Sequence, residues 1–132
     1  MGSFSTPAVG GGPVIYAADL PADFSTTSST FVDVLVLNFT LPWRANLLIL
    51  PYIDYSQCSY VNGIRILYDE NEIRRVGANS TATYMNRCVG FITIIGANQG
   101  SHTLKLQAYT GSSSYPITIK RPTYFRVLAF PA

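Results

Sequence analysis

The sequence has few charged residues, and this scarcity restricts the partners it can bind. Only 12% of its 132 residues are Asp, Glu, Lys or Arg, whereas about 25% is usual in a soluble domain. The net charge is +2, and Arg74-Arg75 and Lys120-Arg121 are the only adjacent basic pairs. Nucleic-acid binding usually requires a clustered basic face that neutralises phosphates. The sequence therefore predicts no nucleic-acid partner.

Long apolar runs are also missing. A membrane-spanning helix needs about 18 or more apolar residues in succession, and the most apolar region is interrupted by Asn38, Pro42 and Arg44. The first dozen residues are mostly Gly, Ser, Thr and Pro, without the basic start and apolar run of a secretory signal. We expect no membrane segment and no secretory signal. A role outside a cell would then require another route, such as release inside a particle.

Residues for catalysis and metal binding are scarce. His102 is the only histidine, and no Ser or Cys motif supplies it with a nucleophile. One His and two distant cysteines show no metal-ligand spacing, and the turn at Asp69, Glu70 and Glu72 lacks the spacing of a calcium loop. A glycoside-hydrolase pair could only be Asp54 with Asp69, and nothing pairs them. We expect no enzyme activity, metal or cofactor, and interpret His102 as the start of a strand, its ring bonding neighbouring backbone groups.

Cys58 and Cys88 are the only cysteines, and each stands just before a predicted strand. They do not form a metal-type CxxC pair. A disulfide between the two strand starts and two free buried thiols are both consistent with this pattern, since the secretory signal that would favour a disulfide is absent.

Alternation of apolar and polar residues is what the sequence does have, and it is clearest from Gly100 to Tyr109. Leu104, Leu106 and Ala108 alternate there with polar residues, which is the period-two pattern of a half-buried strand. Strands of this kind recur along the chain, and turn residues separate them at intervals of about 8 to 12 residues. The other predicted strands are Pro13–Ala17, Phe31–Leu41, Ala45–Leu50, Ile64–Tyr68, Glu72–Val76 (or a helical turn), Ala82–Met85, Val89–Ile95, Tyr115–Lys120 and Thr123–Phe130.

These eight to ten strands, with no competing helical period, predict an all-β fold, an antiparallel β-sandwich. The chain closes in a strand, which is usual for a jelly roll, where the first and last strands share a sheet. Residues 1–12 are rich in Gly, Ser and Pro and predict a flexible N-terminal arm, so the jelly-roll domain covers residues 13–132. We further expect Pro51 to end a strand or to mark an edge strand, Tyr52–Gln57 to form a loop, and Asn62-Gly63 to form a hairpin turn.

Two predicted strands, Phe31–Leu41 and Ala45–Leu50, are apolar on both faces. In a sandwich the opposite sheet buries only one face of a strand. We expect the second face to meet another subunit or the N-terminal arm, and the low overall charge also favours an oligomer. The predicted interface residues are Phe31, Leu35, Leu37, Phe39, Leu48 and Leu50.

Aromatic residues form a second candidate surface, because Tyr and Trp combine apolar area with a hydrogen-bonding tip. Such side chains could stack on a sugar or contact a protein partner. The alternative is packing under loops or at a subunit interface. The candidate residues are Trp43, Tyr52, Tyr55, Tyr60 and Tyr109.

Four stretches resemble small jelly-roll domains of bacteriophage virion proteins. They read Ser-Ser-Thr-Phe-Val-Asp-Val from Ser28, Ile64 to Asp69, Gly-Ser-His-Thr-Leu-Lys-Leu-Gln from Gly100, and Tyr-Phe-Arg-Val-Leu from Tyr124. Such domains occur as head-decoration or head-fibre modules and as tail-fibre tips. Their fold is similar to the trimeric jelly rolls of tumour necrosis factor (TNF) and of the complement globular head.

The resemblance implies a non-enzymatic structural protein on the capsid surface of a virion, a homotrimer that decorates or cements the head and contacts the major capsid protein. The alternative that it leaves open is a receptor- or glycan-binding tip of a tail fibre, with a host-surface glycan as partner. The absence of a repetitive shaft before the domain favours decoration.

Overall fold

The computed structural model describes residues 12–58, 62–78, 84–90 and 93–132, and this part of the chain contains ten strands. Nearly every strand follows a period-two pattern of burial, as the sequence predicts. The strands are β1 (Val14–Asp19), β2 (Phe24–Thr26), β3 (Val32–Leu41), β4 (Ala45–Cys58), β5 (Asn62–Tyr68), β6 (Asn71–Ala78), β7 (Tyr84–Gly90), β8 (Thr93–Ala97), β9 (Gly100–Thr110) and β10 (Ile117–Pro131).

Two antiparallel sheets form the sandwich. The first sheet has the order β1-β10-β4-β7, with β2 also paired to β10 and β8 also paired to β4. The second sheet has the order β3-β9-β5-β6. The first and last strands are neighbours in the first sheet, as predicted for a jelly roll. The predicted all-β sandwich is confirmed.

The core lies between the sheets and is made of the inward-facing residue of each alternating pair. In β9, Leu104, Leu106 and Ala108 are fully buried, and in β10 the same holds for Phe125 and Val127. Complete burial of a Leu or Phe side chain stabilises the fold by about 1.5–3 kcal/mol, so these rows hold the two sheets together. Among the described residues, no helix is long and apolar enough to cross a membrane.

The prediction that β4 ends at Pro51 is wrong, because the strand continues to Cys58. On one side β4 pairs along most of its length with β10. On the other side it pairs with β8 through Ile49 and with β7 from Tyr52. Pro51 lies inside this strand, opposite Phe125 of β10, so the proline does not end the strand. The predicted loop Tyr52–Gln57 is therefore part of a central strand.

Asn62-Gly63 is not a hairpin turn either. Both residues begin β5 and pair with Ala78 and Gly77 of β6. A Cβ on Gly63 would lie 3.0 Å from the Val76 carbonyl oxygen, so the glycine is needed for close packing of backbones rather than for a turn. The hairpin between β5 and β6 turns instead at Asp69 and Glu70, which both have positive φ (48° and 67°), as a type I′ turn requires.

Three smaller differences concern the ends of strands. The sequence predicts no strand between Ala17 and Phe31, but the short strand β2 lies there and pairs with the start of β10. The described residues of the predicted strand Val89–Ile95 are in strands and the paired region extends further at both ends, since β7 begins at Tyr84 and β8 ends at Ala97; residues 91–92 lie outside the described part. The last two predicted strands are one strand, β10, with an irregularity between Lys120 and Tyr124. The predicted N-terminal arm, apart from Gly12, lies outside the described residues.

Candidate interaction surface

A row of four aliphatic side chains crosses the outer face of the first sheet. Ile15 of β1 pairs with Leu128 of β10, Leu128 pairs with Leu48 of β4, and Leu48 pairs with Ile94 of β8. Directly opposed residues on adjacent strands project to the same face of the sheet. Ile15 is 52% exposed and Ile94 is 72% exposed, whereas Leu48 and Leu128 are half-buried. The row therefore presents apolar surface to solvent across four adjacent strands.

Two neighbouring residues extend this surface. Phe130, 40% exposed, lies next along the same face of β10, and together with Leu48 and Ile94 it lines a shallow cavity of about 290 Å³. Leu50, half-buried, follows Leu48 along β4. We call the surface formed by Ile15, Leu48, Leu50, Ile94, Leu128 and Phe130 the apolar face. Contiguous exposed apolar patches on soluble proteins usually mark interaction sites.

An aromatic pair borders the apolar face. Tyr52 and Tyr124, opposed on β4 and β10, stack with ring centroids 5.4 Å apart. Arg126 lies over the Tyr124 ring at 4.5 Å and pairs with Asp19, Nη2 to Oδ1, at 2.8 Å. The outer face of the first sheet thus carries aliphatic side chains at one end of its strands and aromatic and charged side chains further along.

The outer face of the second sheet has a different chemistry. Gln107 accepts a hydrogen bond from Arg65 at 2.7 Å and donates one to Asp33 at 2.7 Å. Glu72 accepts from Arg75 at 2.6 Å and lies 3.7 Å from Arg65. Lys105 forms an ion pair with Glu70, with Nζ 2.9 Å from Oε1. We call the surface formed by these residues the polar face: Asp33, Arg65, Glu70, Glu72, Arg75, Lys105 and Gln107. Its three acids and three bases are paired within the chain.

The structure corrects half of the predicted subunit interface. Leu35, Leu37 and Phe39 are 5–7% exposed and belong to the core, because β3 turns these residues inward against the first sheet. They are therefore already covered within one chain and cannot form a contact between subunits. Leu48 and Leu50 do lie on the outer surface, in the apolar face.

Phe31 is half-buried and is covered by the polar face. The Arg65 and Arg75 guanidinium groups lie 4.0 Å and 5.2 Å from its ring centroid. Tyr109 meets the ring edge-on at a centroid distance of 4.7 Å. Guanidinium groups close to an aromatic ring are held there by cation–π attraction, so the position that the sequence suggests for a subunit contact is occupied within the chain.

The predicted aromatic surface is not one surface. Tyr55 is fully buried in the core, which excludes it from ligand contact, and Trp43 is half-buried against that core. Tyr52 lies on the first sheet, whereas Tyr109 lies on the second. Tyr60 lies outside the described residues. Sequence alternation did not reveal this scattering, because β4 continues past Pro51 and turns every second residue inward.

The two cysteines lie on adjacent strands. The register sets Cys58 opposite Tyr84 and Cys88 opposite Asp54, four positions apart, or about 13 Å at the usual rise of a strand. A disulfide requires Cα atoms within about 7 Å. A bridge within this chain would therefore need a different register of β7, and the cysteine side chains themselves lie outside the described residues.

His102 lies at the start of β9, as the sequence predicts, and its ring is surrounded by oxygen atoms. Nε2 lies 2.7 Å from the Asn98 carbonyl oxygen, and Nδ1 lies 2.6 Å from Oδ2 of Asp69 and 2.9 Å from the Tyr68 hydroxyl. Burial lowers the pKa of His102, but the bonds to Asp69 and Asn98 and the Asp69 charge outweigh it, so the pKa is raised above 6.5. Within the described part of the chain, no group of three or more His, Cys, Asp or Glu could hold a metal ion.

The sequence matches no family model and no curated protein. The fold does match solved structures. The Eiger TNF from S. frugiperda superposes with a TM-score of 0.64 at 7% identity, over 92% of this chain and 95% of that chain. Dimeric latent PorU from Porphyromonas gingivalis matches with a TM-score of 0.55 at 10% identity, over 98% of this chain but only 13% of its own. VP2 of the infectious bursal disease virus subviral particle matches with a TM-score of 0.49 at 13% identity, over 91% of this chain and 37% of the VP2 chain.

The chain is therefore a jelly-roll β-sandwich with a TNF-like fold. The match to the Eiger TNF covers nearly the whole of both chains, so the domain is similar to that jelly roll from end to end. At such low identity the similarity concerns the fold, and function has to be argued from the surfaces.

Proposed function

We propose that this chain is a non-enzymatic structural protein of a virus particle and assembles as a homotrimer through the apolar face. The observation that carries the assembly is the row of Ile15, Leu128, Leu48 and Ile94. Its four side chains carry no charge, and two are more than half exposed. Burying such a row removes apolar area from water, at about 25 cal/mol for each Å².

A second and third copy of the chain are the occupants that fit this face. The row is aliphatic throughout, so an aliphatic surface of similar shape is its complement, and every copy carries one. The opposite sheet cannot supply that surface, since its charged groups are already paired with one another. The phage virion domains that the sequence resembles share the trimeric TNF type of fold, which supports three copies rather than two.

The virion role is supported by the sequence resemblance, centred on Gly100 to Gln107, and by the low charge of the chain. A decoration protein needs a stable assembly and, in addition, a surface that binds the capsid shell. In this proposal the trimer supplies the body, and the major capsid protein is the partner. The capsid surface is the proposed location.

The assembly is tested by light scattering coupled to size-exclusion chromatography at micromolar concentration. We expect a trimer for the wild type and a monomer for Ile94→Asp, since the exposed Ile94 contributes little to the fold of one chain but much to a contact. Val36→Asp is the matched control, because Val36 is a 39% exposed aliphatic residue of β3, in the second sheet. A wild-type monomer, or equal effects of the two substitutions, would contradict the proposal.

The virion role needs its own experiment. Antibody labelling of purified particles, seen by electron microscopy, should place the chain on the capsid surface. Labelling at fibre tips, together with specific hits on a glycan array, would favour the receptor- or glycan-binding alternative instead. Either result is independent of whether the chain forms a trimer.

A further inference from the structure

The turn between β5 and β6 is held against the start of β9 by one cluster of side chains. Asp69 accepts a hydrogen bond from the Thr103 N–H on Oδ1 at 2.8 Å and lies 2.6 Å from His102 Nδ1 with Oδ2. The Asp69 N–H in turn donates to the Thr103 carbonyl at 2.9 Å. Asp69 and Glu70 are both in the left-handed region of φ, which is costly for residues other than glycine. The cluster therefore holds a turn that its own residues do not favour.

The contacts of the His102 ring define its protonation state in this arrangement. A carbonyl oxygen and a carboxylate oxygen only accept hydrogen bonds. Nε2 faces the Asn98 carbonyl and Nδ1 faces the Asp69 carboxylate, so both ring nitrogens must carry a proton. The ring is thus in its charged form when Asp69 is in place.

The Tyr68 hydroxyl offers Nδ1 a second partner. It lies 2.9 Å from Nδ1, and the two rings stack with centroids 5.5 Å apart. Burial first, and then the Asp69 charge, raise the pKa of Tyr68 to about 12. The hydroxyl therefore keeps its proton at any ordinary pH and can donate it to Nδ1 once that nitrogen has lost its own.

We propose that His102 operates a proton-controlled clamp, in which Nδ1 is bonded to Asp69 when the ring is charged and to Tyr68 when the ring is neutral. In the neutral state the lone pair of Nδ1 faces a carboxylate oxygen, and the repulsion drives the Asp69 side chain away. The Thr103 N–H then loses its acceptor. The β5–β6 turn is therefore closed at acidic pH and loosened at higher pH.

The other groups near the His102 ring do not exchange hydrogen bonds with its Nδ1 atom. Phe39 of β3 contacts the ring with centroids 5.7 Å apart but does not titrate near neutral pH. Glu70 is paired with Lys105 of β9 at 2.9 Å. Asn71 of β6 donates to the Asp69 carbonyl through its side-chain amide at 3.1 Å. Asp69 is thus the acid in contact with the ring, and Lys105 is the nearby base.

The sign of the pH effect follows from the pKa of His102, which is raised in the folded chain. A group whose pKa is raised by folding contributes stability that is fully present below its unfolded pKa, near 6.5. This contribution is lost as the pH rises through the higher folded pKa. The clamp thus stabilises the fold on the acidic side of neutrality.

The first test is the titration of His102 by NMR in the wild type, where a single histidine gives one set of ring signals. We expect a midpoint above that of an unfolded histidine and, above the midpoint, a neutral ring with its proton on Nε2. A neutral ring with its proton on Nδ1 would overturn the exchange of partners, because such a nitrogen cannot accept from Tyr68.

Two substitutions should move the midpoint in opposite directions. Asp69→Asn removes the partner of the charged ring and lowers the pKa of His102, while Asn still tolerates the left-handed turn. Tyr68→Phe keeps the ring stack but removes the donor to the neutral ring, so it raises the pKa. Glu70→Gln is the matched control, with a midpoint close to the wild type. A lowered or unchanged midpoint in Tyr68→Phe would overturn the proposal.

Hydrogen exchange reports on the turn itself. After correction for the intrinsic rate, we expect protection of the Thr103 amide to fall about tenfold or more above the midpoint, the size of one hydrogen bond to a charged group. The reference is the Thr110 amide at the other end of β9, which donates to the Ser28 carbonyl at 2.8 Å. An equal change at both amides, or no change at Thr103, would show that the turn is not controlled by His102. None of these readouts depends on the trimer.

Discussion

The apolar face and the polar face lie on opposite sides of the same sandwich and are built on strands of the same kind. In both, every second residue faces the core and the residues between face outward. The outward residues differ in kind: the polar face pairs its acids and bases within the chain, whereas the apolar face leaves Ile15 and Ile94 more than half exposed. The charged groups of the polar face are paired within one chain, whereas the apolar face leaves aliphatic side chains exposed.

The difference indicates that the outward residues, and not the strands, decide what each side of the jelly roll does. A face with internally satisfied charges gains little from a partner, because each ion pair would first have to lose water. An aliphatic row has no such cost. A contact between copies is therefore expected on the first sheet and not on the second.

The largest effect is expected from a charge in the middle of the apolar face. Leu48 lies at the centre of the row, opposed to Leu128 on one side and Ile94 on the other. Leu48→Lys should weaken self-association about 30-fold or more, as expected for a central interface residue worth about 2 kcal/mol. Sedimentation over a dilution series measures this change.

The reciprocal substitution, Lys105→Leu, sharpens the comparison. Lys105 is the counterpart of Leu48 on the polar face, where it pairs with Glu70 and lies 3.9 Å from Asp33. Its loss should leave self-association unchanged and alter the stability of the chain only slightly, because exposed ion pairs are weak. If Lys105→Leu weakened assembly as much as Leu48→Lys, the two faces would not differ in function.

A moderate effect is expected from the centre of the polar face. Gln107 joins Arg65 to Asp33 through two hydrogen bonds of 2.7 Å. Gln107→Ala should therefore lower the free energy of unfolding by about 1–2 kcal/mol, measured by urea denaturation in the monomeric Ile94→Asp background. Gln99→Ala, at an exposed glutamine in the turn before β9, should cost less than about 0.5 kcal/mol. Equal costs at the two sites would mean that the network adds nothing.

The smallest effect is expected from salt. The pairs of Glu72 with Arg65 and Arg75 are partly exposed, so they contribute little to stability and are screened by salt. Raising the sodium chloride concentration should lower the stability of the monomer slightly and leave self-association intact, since apolar burial is not weakened by salt. Glu72→Gln should reduce the salt dependence of unfolding. Dissociation of the trimer by salt would instead point to a charged interface.

The alternation of apolar and polar residues predicts a strand well where every second residue faces the core and the residues between face outward. Gly100–Tyr109 alternates because it crosses a sheet with one face in the core, and β9 begins at Gly100, as predicted. Pro51 and Asn62-Gly63 were misread, because their local signals depend on which strands lie beside them. Pro51 lies within β4, whose pairing with β10 extends on both sides of it, and Gly63 is needed by the close approach of β6.

The apolar face and the His102 cluster depend on contacts between distant segments, which a local sequence pattern does not predict. The sequence shows that β3 and β4 are apolar on both faces but not which face turns inward, and Leu35, Leu37 and Phe39 proved to be core residues. The clamp brings His102 to Tyr68 and Asp69, which lie more than 30 residues before it in the sequence. A lone histidine gives no local sign of such partners.

The sequence by itself determined the class of the fold, since period-two alternation with regularly spaced turns allows burial only between sheets. It also determined the scarcity of charge that leaves apolar surface for a contact. Only the tertiary structure decided where that surface lies. Ile15 and Leu128 are neighbours because the first and last strands pair, and strand pairing between distant segments is set by packing of the whole core rather than by any local signal.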